Sequence, residues 1–297
     1  MKAQQISNAT STPRARGRTL RSEEALWGWL LILPSMIGIL VFGIIPIVGS
    51  FGVSFTNWTG ISQPKFNGLA NYARAIGDER ALQYSLQTLI FTAVAVPLGL
   101  IVSLGLAAMI HNVKSKLGKG FFRTLYYLPM VTAGVATAVL FKSLFTWMGI
   151  NWLSRPDTVL PTVAFFSVWQ GAGASMILFL AALSNVSKEL YEAAQMDGAK
   201  PWQMFRYITM PMVSPTIFLV LVLGLIAGLQ VFETILFMTR GGEPGDSSVS
   251  IALYIYRTAF KYFRMGYATA LSWLLALVLI VLLVVQWRMQ KRWVHYD

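Results

Sequence analysis

The chain has 297 residues, of which 56% are hydrophobic and only 12% charged, and its net charge is +12. Soluble domains carry about 25% charged residues, so this composition excludes an ordinary water-soluble globule and points to a protein solvated largely by lipid. With no cysteine, disulfides, thiolate metal sites and cysteine nucleophiles are excluded as well.

Residues 1–26 form a basic segment rich in Ser, Thr, Arg and Pro. Its low hydrophobicity predicts disorder or loose attachment to the inner leaflet. Six apolar stretches follow that are long enough to cross the hydrocarbon as helices, at about 20 residues each. They are 27–51, 85–110, 124–147, 161–186, 213–238 and 266–287. The first is far longer than the apolar core of a secretory signal, since no charge interrupts Ala25 to Pro64, so it reads as a retained span. No alternation of period two runs through these stretches, which excludes an outer-membrane barrel. The predicted fold is therefore an all-α membrane protein with six transmembrane helices across 27–290 and a short tail, 291–297. Pro34, Pro46, Pro97 and Pro129 are expected to kink or end their helices.

Orientation follows from the basic residues. With a cytoplasmic N-terminus, fifteen Lys and Arg fall on inner segments and eight on outer ones, and Lys142 stays inside a span. That bias puts both termini in the cytoplasm. Tyr126, Tyr127, Trp147 and Trp287 fall near span ends, as interfacial anchors would. The basic residues sit in clusters between apolar runs and make no single patch, so no nucleic-acid partner is expected. The two histidines, His111 and His295, are far apart, so no metal site is expected.

The loop between spans four and five, residues 187–211, carries the most information. Ser187 is placed to cap a short helix. Gly198 can supply a left-handed turn to end it, and Pro201 suits the start of a second helix. Ala193 and Ala194 would let another surface approach closely. On spacing alone, an amphipathic linker lying in the interface fits equally well.

The order of residues goes further. Glu192-Ala193-Ala194, then Asp197-Gly198-Ala199, then Ile208 and Pro211 resemble the EAA loop of permease subunits in ATP-binding-cassette importers. Phe66-Asn-Gly-Leu-Ala-Asn-Tyr72, Leu128-Pro129 opening the third span, Gly241-Gly242, and Gly266-Tyr267-Ala268 are similar to carbohydrate permeases of the maltose type, on the MalF-like side. Ser187, Met196 and Met210 depart mildly from the usual pattern. The resemblance implies a six-span permease whose 187–211 loop is a cytoplasmic coupling helix. Its implied partners are two ATP-binding subunits, a second MalG-like permease and an extracytoplasmic solute-binding protein. It also implies a carbohydrate, a polyol or a phosphorylated polyol as substrate, and a bacterial inner membrane as the location. Within the loop, Glu192 would make polar contacts with the ATPase, Gly198 would permit the bend, and the alanines would permit close docking.

No phosphate-binding loop is present. Gly118-Lys119 is followed by Gly120 where Ser or Thr is required, and Val113 stands where the first Gly should be. ATP and magnesium are therefore expected on a separate subunit, with no catalytic residue and no cofactor in this chain. An intramembrane hydrolase would need a paired nucleophile and base at one depth, which the sequence does not supply. An ion-coupled secondary transporter is the alternative reading, and it would ordinarily carry more intramembrane carboxylates.

Polar residues inside spans are costly and often face a pathway. Trp169 and Gln170 in span four, and Gln230 and Glu233 in span five, are the candidates for substrate contact. Gln230 and Glu233 are one helical turn apart and are expected on one face. Gly224 and Gly228, on another face, suit close helix packing. Lys142 and Glu233, both toward the outer side, are placed to form a pair.

Overall fold

The computed structural model describes residues 16–291 and Val294. Residues 1–15 of the basic segment, and most of the 291–297 tail with His295, lie outside the described residues. The chain divides into two units, 1–52 and 53–297. The first holds α1 (Arg16–Ile39), a wide π-turn (Leu40–Ile44) and most of α2 (Ile45–Ser54), whose last two residues belong to the second. Pro34 sits inside α1 without ending it, and Pro46 follows the π-turn. Proline has no N–H to give and its ring crowds the carbonyl four residues back. A turn that moves the bonding one residue further absorbs both defects.

The second unit holds the short helix α3 (Ala70–Ile76), the long α4 (Glu79–His111), α5 (Lys116–Val131) and α6 (Gly134–Trp147). There follow α7 (Val159–Asn185), α8 (Lys188–Met196), α9 (Pro201–Met204) and α10 (Met210–Leu229). The last are α11 (Glu233–Met238), α12 (Ile251–Tyr256) and α13 (Met265–Gln290). Five stretches are long and apolar enough to cross a membrane: Glu24–Ser54, Glu79–His111, Val159–Asn185, Pro201–Leu229 and Met265–Gln290. The pair α5 and α6, bent by 96°, is apolar enough to make a sixth if it crosses as one broken span. Among the described residues there is no strand, only a lone bridge between Thr56 and Phe66. The fold is an all-α membrane protein.

Two spans differ from the sequence expectation. The third is a broken span that starts at Lys116, and Leu128-Pro129 lies near the end of its first limb instead of opening it. Pro129 removes a donor in the last turn, Thr132 turns extended (ψ 143°), and the chain restarts at Gly134. Tyr126 accordingly lies well inside the first limb, where its backbone meets Gly173 of α7. The fifth span ends at Leu229, and Phe232 (φ −141°, ψ −62°) breaks the helix before Glu233. Pro97 is carried inside an unbroken α4.

Lipid tails are as apolar as leucine, so moving leucine between helices gains little transfer energy and close packing must hold the bundle. Helix α4 is central, with α7 and α10 against it. Ala107, Met176, Phe179 and Val213 are fully buried where the three meet. Glycine makes the closest approaches. A Cβ on Gly228 would come within 2.8 Å of Thr92, and one on Gly224 within 3.0 Å of Val96. A Cβ on Gly173 would overlap the carbonyl oxygen of Tyr126.

That overlap is with backbone, which cannot rotate away. Gly173→Ala is expected to lower the melting temperature of the purified protein by several degrees, for a cost of about 1–3 kcal/mol. Gly105→Ala, where a Cβ meets nothing within 4 Å, should leave it unchanged or slightly raised. Equal effects of the two would remove the close-packing explanation.

Candidate translocation cavity and docking helix

Backbone that leaves its helix within a membrane has polar groups that lipid cannot satisfy, and it is tolerated where it lines a wet cavity. The break in the third span and the chain just past the end of the fifth both fit this. A cavity of about 860 Å³ lies among α4, α7 and α10, and its wall includes Met130, Thr132 and Gly134 from one break and Gln230, Phe232 and Glu233 from the other. The hydroxyls of Ser103 and Ser167, also on the wall, bond back to the carbonyls of Gly99 and Val163. Gln170 lines the cavity from α7 and packs against Gly134, where a Cβ would sit 3.2 Å from its Nε2. The side chains of Gln170, Gln230 and Glu233 make no hydrogen bond to the described residues, so each is available to a ligand.

The structure thus brings three of the four pathway candidates together, by a different route from the one expected. Gln230 and Glu233 do not share a helical face, because the break at 230–232 separates them. It is the break that turns both toward the cavity. Trp169 lies elsewhere: its ring packs on Phe141 (5.2 Å between centroids) and Phe166 (5.9 Å) and does not line the cavity. Nor do Lys142 and Glu233 form an ion pair among the described residues. The charges that act on Lys142 are Arg240 and Glu243.

Residues 187–211 form a helix, a bend and a second helix. The Ser187 hydroxyl accepts from the Glu189 N–H (3.2 Å) and caps α8. At the other end Ala199 N–H donates to Ala194 and Gly198 N–H to Gln195, a Schellman motif, with Gly198 at φ +76°. Pro201 opens α9, and the Lys200 N–H donates to Gln203 Oε1 (2.7 Å). A second π-turn, Phe205–Thr209, precedes Pro211 as the first precedes Pro46. One side of α8 is tethered, through a hydroxyl contact between Tyr191 and Thr209 (2.8 Å). Glu192, Ala193, Asp197 and Gly198 are exposed, Ala194 and Ala199 partly so, and Met196 and Trp202 stand out at 89% and 70% exposure.

A polar network closes the opposite end of the bundle, and sequence reasoning missed it. Asp78 caps α4 and receives the hydroxyls of Tyr254 (2.7 Å) and Tyr267 (2.6 Å). Asp246 receives Arg257 (2.9 Å) and the Tyr84 hydroxyl (3.0 Å), and Arg257 also donates to the Gly241 carbonyl. The Phe66–Tyr72 motif belongs here too: buried Asn71 donates to the carbonyls of Ser54 and Thr56 (2.8 Å each). So does Gly266, where a Cβ would overlap the Thr56 backbone. Burial opposes the Asp78 charge, but the bonds from Tyr267, Tyr254 and the Ala81 and Arg80 amides outweigh it and hold its carboxyl below the ordinary value of 3.8. Asp246 is lowered likewise, burial being outweighed by Arg257 and Tyr84. Burial and the bond to Asp78 push Tyr254 up to about 12.

Five apolar helices long enough to span a membrane, a bent pair that can make a sixth, and a polar-lined cavity among them suit a membrane permease. The chain belongs to the family of binding-protein-dependent transport system inner membrane components, whose pattern matches residues 95–294. A probable ABC transporter permease, YesP of Bacillus subtilis, is 34% identical over 95% of this chain and 96% of its own length. The lactose transport permease LacF of Rhizobium radiobacter is 34% identical over 87% and 92%. A solved bacterial ABC transporter involved in import of the acidic polysaccharide alginate has a chain with a TM-score of 0.77 and 27% identity, covering 93% of this chain and 99% of that one. A second structure, the alginate transporter with an alginate-pentasaccharide-bound periplasmic protein, gives 0.77 and 26% over 93% and 96%.

The lowered carboxyls set a pH dependence. A group held below its unfolded value contributes stability above that value and loses it as pH falls through the folded one. Melting temperature should therefore drop on acidification below about pH 4, and Asp78→Asn should flatten that drop. An unchanged acid limb in the variant would show that the network does not carry it.

Proposed function

We propose that this chain is one of two permease subunits of an ATP-driven importer of a carbohydrate or related polyol in the bacterial inner membrane. The family membership fixes a transport permease, and the relatives named for sugars support the substrate class. The observation that carries the mechanism is the α8–Gly198–α9 element, rigidly bent by backbone bonds and exposed between two spans. In this reading it faces the cytoplasm, as do both termini, and docks on a separate ATPase that holds ATP and magnesium. Glu192 makes polar contacts there, while Ala193, Ala194 and Ala199 permit close approach. Asp197 and Gly198 set the bend, and Pro211 sets the turn into α10. Closure of two ATPases then moves α10 against α4 and α7, and the cavity opens alternately to either side. The Gly241–Ser248 loop, held by Arg257 and Tyr84, lies outside the cytoplasm and meets a soluble solute-binding protein. A second permease, MalG-like, completes the pathway. An ion-coupled carrier has no use for the docking helix and is not favoured.

Gly198→Val forces a branched side chain into left-handed backbone, at a cost of about 1–3 kcal/mol. Uptake by the assembled complex should fall at least about ten-fold while membrane insertion is unchanged. Normal uptake with a normally assembled ATPase would remove the coupling role.

Sidedness is checked separately. A cysteine replacing Ser247 should react in intact cells with a membrane-impermeant maleimide. Reaction only after the cells are opened would invert the proposed topology.

A further inference from the structure

The cavity holds a single charge. Of all the residues on its wall, only Glu233 is ionisable, and it is exposed to the space. No lysine or arginine lines the wall, and Lys142 answers to Arg240 and Glu243 instead. The other wall side chains without a hydrogen bond to the described residues, the amides of Gln170 and Gln230 and the hydroxyls of Ser175 and Thr234, both donate and accept. A carboxylate only accepts. It can take a hydroxyl or ammonium donor from a ligand, but it offers nothing to a ligand carboxylate or phosphate and repels its charge. That repulsion is Coulombic, and it shrinks as salt screens it.

We propose that Glu233 makes this permease selective for carbohydrates without acidic groups, neutral or amino sugars, and excludes uronic acids and phosphorylated polyols. The inference rests on the importer reading above and narrows it. It also sets the chain apart from its solved structural neighbour, whose transporter is involved in importing an acidic polysaccharide. Selection here works by a repulsive element as much as by attraction.

The test uses the complete complex, both permeases with the ATPases, in nanodiscs near neutral pH. Saturation-transfer NMR compares three trisaccharides: maltotriose, a glucosamine trimer and trigalacturonate. Wild type should bind the first two at least about ten-fold better than the third. In Glu233→Gln the trigalacturonate should gain at least about ten-fold relative to maltotriose, and the glucosamine trimer should lose its edge. Should the variant assemble poorly, wild type alone suffices. Raising ionic strength from about 0.01 M to about 1 M shortens screening from about 30 Å to about 3 Å and should shrink the discrimination. Equal binding of all three trimers, or discrimination indifferent to both the variant and salt, overturns the charge rule and leaves the importer reading standing. If none of the three binds wild type or variant, the carbohydrate reading itself falls and the charge rule with it.

Discussion

Hydrocarbon offers no hydrogen bonds, and every peptide group that crosses it must find its partner inside the protein. That constraint decides where this chain is regular and where it is not. Helices α4, α7, α10 and α13 run without a break, and α4 and α10 carry Pro97 and Pro215 inside them. The chain leaves its helix at 132–133 and at 230–232, and both departures are on the wall of one cavity. The prolines follow the same logic. Where Pro46 and Pro211 remove a donor, a wide turn just before each keeps the helix going. At both breaks the irregular backbone opens onto the cavity, where water or a ligand can meet it.

The two ends of the bundle are held by different chemistry. At one end, two carboxylates gather tyrosines, an arginine and helix N–H groups from α4, α12, α13 and the loop between α11 and α12. The network stitches together elements more than 150 residues apart in sequence. At the other end the α8 helix is capped by the Ser187 hydroxyl, bent by backbone bonds at Gly198, and touches the bundle through Tyr191 and Thr209. Between them the helices meet through large buried side chains such as Met176 and Phe179 and through Gly173, Gly224 and Gly228, which bring neighbours close.

Much of this was legible in the sequence. Apolar length gave the spans, and Ser187, Gly198 and Pro201 gave the helix-bend-helix, because caps and left-handed turns depend on one residue and its immediate neighbours. Gly224 and Gly228 announced a close approach for the same reason. What failed were inferences that assumed an unbroken helix. Gln230 and Glu233 were placed on one face by counting residues, and Phe232 interrupts the count. Pro129 was read as the start of a span, but Thr132 and Gly134 let the chain turn after it. The Lys142–Glu233 pair presumed a rotation of α6 that only packing sets. Trp169 beside Gln170 points away because successive helical residues face different directions. The carboxylate network was illegible for another reason: Asp78 and Tyr267 are 189 residues apart, and no local pattern joins them.

The bend at Gly198 has a consequence for how such a subunit can change over time. Its angle is set by two backbone hydrogen bonds and one positive φ, not by the side chains that α8 displays. Residues on the outward face, among them Glu192 and Met196, are free to vary without altering the direction in which the following helix leaves. A lineage could therefore re-surface this element while the bend keeps its geometry. The surface that α8 displays and the direction in which the chain leaves it are in that sense separable, because the turn between them is written in the main chain.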